Sequence, residues 1–230
     1  MALALLLIAG GFVALGIWQL ERRIWKHRLI AAVASRSHAV PVAAPGPAQW
    51  PGVSADRDAY RRIRVSGTYL QNRRTLVQAV TDIGPGYWVI VPLDTGRFTL
   101  LVNRGFIAQD QRAAPASEPA GRVTITGLLR VTEPEGGFLR ANDPATGRWY
   151  SRDTAAIARA RGLPATAPYF LDADSARNAP GQPVGGLTVI RFADNHLGYA
   201  LTWFGMAGLS LWGLSRLRAA RDEREDGGAA

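Results

Sequence analysis

The residues able to hold a metal or move a proton are few. Histidine occurs three times, at His27, His38 and His196, and cysteine is absent. Without Cys there is no disulfide, no thiolate metal centre and no thiol nucleophile. Met1 and Met206 are the two methionines, too few for soft copper chemistry. Asp56, Asp58, Asp82, Asp94, Glu118, Glu133 and Glu135 stand mostly in loops with no His nearby in sequence, where a carboxylate is ordinarily a solvated turn residue. There is no G-x-S-x-G elbow, and Gly84-Pro85-Gly86 lacks the helix and Lys of a phosphate loop. His196 is different, because it opens a long apolar stretch. An ionisable group at a membrane position is a functional candidate by default. The plainer reading is an interfacial His that caps a helix and meets headgroups, and the sequence alone leaves the two level.

Two apolar segments would position His196. Met1 to Leu20 carries no charge, and at about 1.5 Å per residue it reaches about 30 Å, one hydrocarbon thickness. A signal peptide is the rival reading, but there is no basic n-region and the apolar run is long. Asn195 to Ser215 is likewise free of charge, with Tyr199, Trp203 and Trp212 suited to the interfaces. Two spans put both termini on one side. The tail arginines Arg216, Arg218, Arg221 and Arg224 argue that this side is the cytoplasm, whereas Arg22, Arg23, Lys26 and Arg28 argue the reverse.

In an antiparallel pair, the end of the first span lies beside the start of the second. Trp18, Gln19 and Arg22 would then share a leaflet with His196, Tyr199 and Trp203. Positions 196, 199, 203 and 207 fall on one helical face, giving an imidazole, two flat aromatics and the small Ala207. Arg22 and Arg23 stand at the membrane edge, where guanidinium groups pair bidentately with carboxylates. A flat apolar macrocycle with two propionates suits such a place, with His196 as axial ligand to its metal. Each companion also has a plainer role: Trp18 and Trp203 as anchors, Tyr199 in the aromatic belt, the arginines on headgroups.

The middle reads as β. Arg61–Leu70, Arg74–Val80, Tyr87–Asp94, Phe98–Ala108, Val123–Val131 and Leu187–Phe192 are short runs rich in Val, Ile, Thr and aromatics, punctuated by Gly and Pro. Asp94-Thr95-Gly96-Arg97 reads as a hairpin turn. Asp153–Arg161 reads as a helix capped by Asp153 and ended by Gly162 and Pro164. Gly67 and Gly105 mark bulges or close backbone approaches, and Arg104 would face a partner or pair within the domain. The expected fold is two transmembrane helices flanking a mostly β (α+β) domain, a small antiparallel barrel or sandwich. Its parts are a first span at 1–20, a basic juxtamembrane segment and Pro/Ala-rich linker at 21–59, the β-rich domain at 60–194, a second span at 195–215 and a tail at 216–230. The net charge is +9, but the cations cluster beside the apolar segments rather than in a nucleic-acid-binding pattern, so lipid is the expected partner and nucleic acid is not.

These residues carry a resemblance. Leu15-Gly16-Ile17-Trp18-Gln19-Leu20-Glu21-Arg22-Arg23-Ile24-Trp25-Lys26 resembles the first-span motif of the surfeit locus protein 1 family, and Asn195-His196-Leu197-Gly198-Tyr199-Ala200-Leu201-Thr202-Trp203-Phe204-Gly205 resembles its second-span motif. Between them Val65–Tyr69, Gly86–Leu93, Val102–Phe106 and Pro183–Gly186 are similar to its β segments, in order. Phe106 and Ala108 depart from the Trp and Pro frequent there. The resemblance implies a non-enzymatic assembly factor for haem-copper cytochrome c oxidase. It would bind haem a, with His196 as iron ligand, and assist its insertion into the catalytic subunit. Haem a synthase is a further candidate partner. It also implies a domain in the periplasm or intermembrane space. The Ala, Arg, Gly and Pro richness, with no Arg-rich transit peptide, suggests a bacterial inner-membrane protein. A scaffold without haem, and a membrane-tethered enzyme or accessory subunit of haem a synthesis, remain as alternatives.

Overall fold

A computed structural model describes residues 2–113, 118–137, 140–174, 182–188 and 194–227. Contacts divide the chain into two units, residues 1–32 with 190–230, and residues 33–189.

The first unit is a pair of helices. Helix α1 runs Ala2–His38, and α4 runs His196–Gly227. At 37 residues, α1 does not stop where the charge-free run ends but continues through the basic segment. It ends where His38 Nδ1 donates to the Ala34 carbonyl at 2.8 Å, supplying one of the orphan acceptors of the last turn. Among the described residues, α1 alone is long and apolar enough to cross a membrane. Helix α4 begins at His196, but Gly, Thr, Ser, Tyr and Trp dilute the hydropathy of its charge-free part. The seam of the pair is built from small and flat side chains. Ala200, Ala207 and Leu214 of α4 are buried, seven residues apart, and the Phe12 and Trp203 rings stack at 5.7 Å.

The second unit is a small barrel. Its strands are β1 (Val42–Ala43), β2 (Arg62–Tyr69), β3 (Thr75–Thr81), β4 (Gly84–Asp94), β5 (Thr99–Ala108), β6 (Arg122–Val131) and β7 (Thr166–Ala173), with short helices α2 (Ala55–Asp58) and α3 (Thr154–Arg161). The sheet order is β1-β2-β6-β7-β5-β4-β3, and β2 also pairs with β4 through Thr68↔Asp94 and Tyr69↔Leu93. That pairing closes the ring β2-β6-β7-β5-β4. Strands β2 and β3 run in succession along one edge of β4, giving the Greek-key order of a small closed barrel. Closure needs Gly67, because a Cβ there would lie 2.4 Å from the Asp94 carbonyl oxygen.

Period-two alternation decides which side chains fill the barrel. Ile63, Val65, Tyr69, Tyr87, Val89, Val91, Leu93, Leu100, Val102, Tyr169 and Leu171 form the interior. Their sequence neighbours Ile90, Leu101 and Phe170 face outward and pack with Trp149, Ile157 and Leu163 under α3. Asp153 caps α3 by accepting from Ala156 N, and Gly162 closes it in a left-handed conformation.

Two places differ from the expectations, and a third is described only at its first two residues. No strand was expected at Thr166–Ala173, and a Pro such as Pro168 is unusual in a central strand. Here Pro168 sits where the β5–β7 register shifts, and the β6–β7 pairing begins only at Tyr169. Of the expected strand at 187–192, residues 187 and 188 belong to no strand, and 189–192 lie outside the described residues. The expected linker Val40–Val53 is ordered against the barrel: it holds β1 and a 3-10 turn at Pro47–Gly52, and Tyr169 Oη donates to Pro45 O at 2.6 Å.

Candidate functional site

Helix α1 presents Phe12, Gly16, Gln19, Arg23 and His27 at spacings of three and four, so they form one stripe along its surface. Helix α4 answers in antiparallel order. Phe12 meets Trp203, Gly16 meets Phe204, Gln19 meets His196, and Arg23 and His27 meet Asp194 just before α4. His196 Nδ1 lies 2.8 Å from Gln19 Oε1. An amide oxygen accepts, so this contact puts a proton on Nδ1, and in the neutral ring Nε2 is then the atom with the lone pair. This is the arrangement by which an orienting partner prepares an imidazole to bind a metal. The Gln19–His196 pair is compatible with a metal ligated through Nε2.

Asp194 is the second centre. Its Oδ2 lies 2.6 Å from His27 Nε2 and 3.7 Å from Arg23 Nε, while Oδ1 accepts from the His196 backbone N at 3.3 Å. The hydrogen bond from His27, with the charge of Arg23, holds the Asp194 carboxyl below the usual carboxylate range. Sequence reasoning passed over both His27 and Asp194. The available signal was the i, i+4, i+8 spacing of Gln19, Arg23 and His27, which puts His27 on the face that carries Gln19.

The other expected site residues are distributed as follows. Trp18 and Tyr199 are 53% and 57% exposed, outside the seam. Trp203 is half-buried and stacked on Phe12. Arg22 is exposed, with its guanidinium 4.0 Å from the Trp25 ring centroid. Arg23 turns toward Asp194.

The barrel carries its own polar centre. Asp172 is 3% exposed. It accepts from Asn103 Nδ2 at 2.8 Å, Arg130 Nη1 at 2.9 Å, Arg152 Nη1 at 3.3 Å and Thr188 Oγ1 at 3.0 Å. Arg152 also grips Glu133 with two bonds, Nε–Oε2 at 2.9 Å and Nη2–Oε1 at 2.5 Å. Burial pushes Glu133 up, but Arg152 and then Arg130 more than reverse it, leaving its pKa lowered. The loop carboxylates are thus not uniformly solvated. Glu133 belongs to this network, Asp58 is buried and pairs with Arg61, and the Glu118 side chain is 2% exposed. Arg104 pairs inside the domain, with Gln182 at 2.9 Å and over the Tyr69 ring. Burial pushes the Tyr69 hydroxyl up to about 12.

The chain is similar to known proteins over most of its length. The model of the SURF1 family matches residues 6–208. Surfeit locus protein 1 of Mus musculus is 32% identical over 232 residues, covering 90% of this chain and 73% of that protein. The Homo sapiens protein of the same name is also 32% identical, covering 90% and 75%. A SURF1-like protein of Monosiga brevicollis is 32% identical over 217 residues, covering 86% and 79%. The matched region takes in most of α1, the barrel strands and the start of α4 with His196, and this chain belongs to the SURF1 family.

Proposed function

We propose that this chain is a non-enzymatic assembly factor for haem-copper cytochrome c oxidase. It carries haem a as cargo on His196 and assists its insertion into the oxidase catalytic subunit. The observation that supports this reading above all is the 2.8 Å contact between His196 Nδ1 and Gln19 Oε1. It leaves Nε2 as a metal-binding atom at the head of a helix whose next residues are apolar. The exposed Trp18 and Tyr199 offer flat surfaces to a macrocycle, and the exposed Arg22 offers a guanidinium to a propionate. Arg23 and Trp203 back the site through Asp194 and Phe12. His196 would hold the cargo through a ligand that can exchange, so that it passes to a second protein.

In this reading α4 is a second span, since its charge-free part from His196 to Ser215 matches one hydrocarbon thickness. The barrel then stands on the periplasmic side of a bacterial inner membrane, with both termini in the cytoplasm. The barrel docks the oxidase subunit, and haem a synthase is the source of the cargo.

A scaffold that stabilises an oxidase intermediate without haem is the second reading. It is favoured by one observation: Arg23 and Trp203 are already engaged within the helix pair. The test is an absorption spectrum of protein purified from cells that also make haem a, as wild type and as His196→Ala. A haem a band present in the wild type and lost in the variant supports cargo binding at His196. A wild-type spectrum without haem overturns it and favours the scaffold.

A further inference from the structure

We infer that Asp194 is a positioning residue for His196, acting as a latch between α4 and α1. The argument starts from what a lone Gln19–His196 contact leaves undetermined. An imidazole at the first position of a helix has a frayed turn behind it, because the first backbone N–H groups of a helix have no partner within it. Asp194 removes that freedom in two ways. Oδ1 accepts from the His196 backbone N at 3.3 Å, which fixes the first turn. Oδ2 meets His27 Nε2 at 2.6 Å with Arg23 Nε at 3.7 Å, which ties that turn to α1 two turns beyond Gln19. His196 is then held from both sides, its main chain by Asp194 and its ring by Gln19. Because Gln19, Arg23 and His27 share one stripe of α1, fixing Asp194 against the last two sets the register that brings His196 to the first. The latch deepens the haem reading and rests on it for only one of its two readouts.

The experiment uses the full-length protein in lipid nanodiscs, with ¹⁵N confined to the histidine rings. There are three imidazoles to resolve, and the His196 signals are identified by their loss in His196→Gln. In the wild type, His196 is expected as a single tautomer with the proton on Nδ1. In Asp194→Ala and in His27→Ala, both tautomers are expected in exchange, and haem a content in cells that make it falls roughly tenfold. His27→Ala leaves the bond from Asp194 to the start of α4 intact, so it separates the latch from a simple helix cap. If Asp194→Ala loses its helical content by circular dichroism, His27→Ala carries the test alone. A His196 signal unchanged in His27→Ala overturns the inference, whatever Asp194→Ala does. A wild type with the ordered tautomer but no haem a in any variant leaves the latch standing and overturns the haem reading instead.

Discussion

Gly16 of α1 is buried directly beneath the ring of Phe204 on α4, so close that a Cβ on Gly16 would lie 2.5 Å from a ring carbon. This contact sits between the Phe12–Trp203 stack and the Gln19–His196 pair, at the centre of the seam. Gly here is a matter of distance: the backbones approach only because one position has no side chain.

Gly16→Leu should therefore force the helices apart, at about 1–3 kcal/mol, the usual range for overpacking. Phe204→Ala in the same chain should recover a substantial part of the loss. Helix-pair stability measured by steric trapping in a double-mutant cycle checks this, and simple additivity would show that the two residues do not share a contact.

Asp172 holds two arginines in a half-buried network, and removing it leaves Arg130 and Arg152 to share the single carboxylate of Glu133. Asp172→Ala should destabilise the barrel by about 3–5 kcal/mol. Asp143→Ala, which removes an exposed partner of Arg148, should leave the transition where it was. Denaturant unfolding followed by tryptophan fluorescence reports both, since the Arg152 guanidinium lies 6.0 Å from the Trp88 ring centroid.

The lowered pKa of Glu133 fixes the sign of one pH effect. The folded state binds its proton more weakly than the unfolded chain, whose Glu titrates near 4.5. Its stabilisation is complete above that value and is lost as pH falls through the depressed folded pKa. Glu133→Gln should flatten this acid limb of the stability curve. A limb unchanged in Glu133→Gln would assign the acid sensitivity to other carboxylates.

Tyr169→Phe should cost about 1 kcal/mol, the net worth of one neutral hydrogen bond. The Pro45 carbonyl that accepts from Tyr169 also accepts from Trp50 Nε1 at 3.1 Å, so the variant leaves no orphaned acceptor. Thermal unfolding should show a small downward shift, with proteolysis near Gln49 and Trp50 faster as the segment loosens.

Much of this protein was legible in its residues. Charge-free runs, alternation and turn chemistry are local signals, and they marked α1, the start of α4 at His196, the five strands β2 to β6, the helix α3 and the Asp94–Arg97 hairpin. That Gln19 lies at the same end of the helix pair as His196 followed from the antiparallel order of the two apolar segments, whereas their hydrogen bond is a finding of the structure. What tertiary structure decided was set by contacts between residues far apart in sequence. Pro168 stands in a central strand because a register shift beside β5 spares it a ladder bond. Asp172 and Glu133 are ion-pair centres because β6, β7 and the segment before α3 converge on them. Asp194 grips His27, 167 positions away, because two helices lie side by side. Local periodicity fixes which face a side chain occupies, whereas the partner it meets there depends on chain closure, which no local pattern encodes.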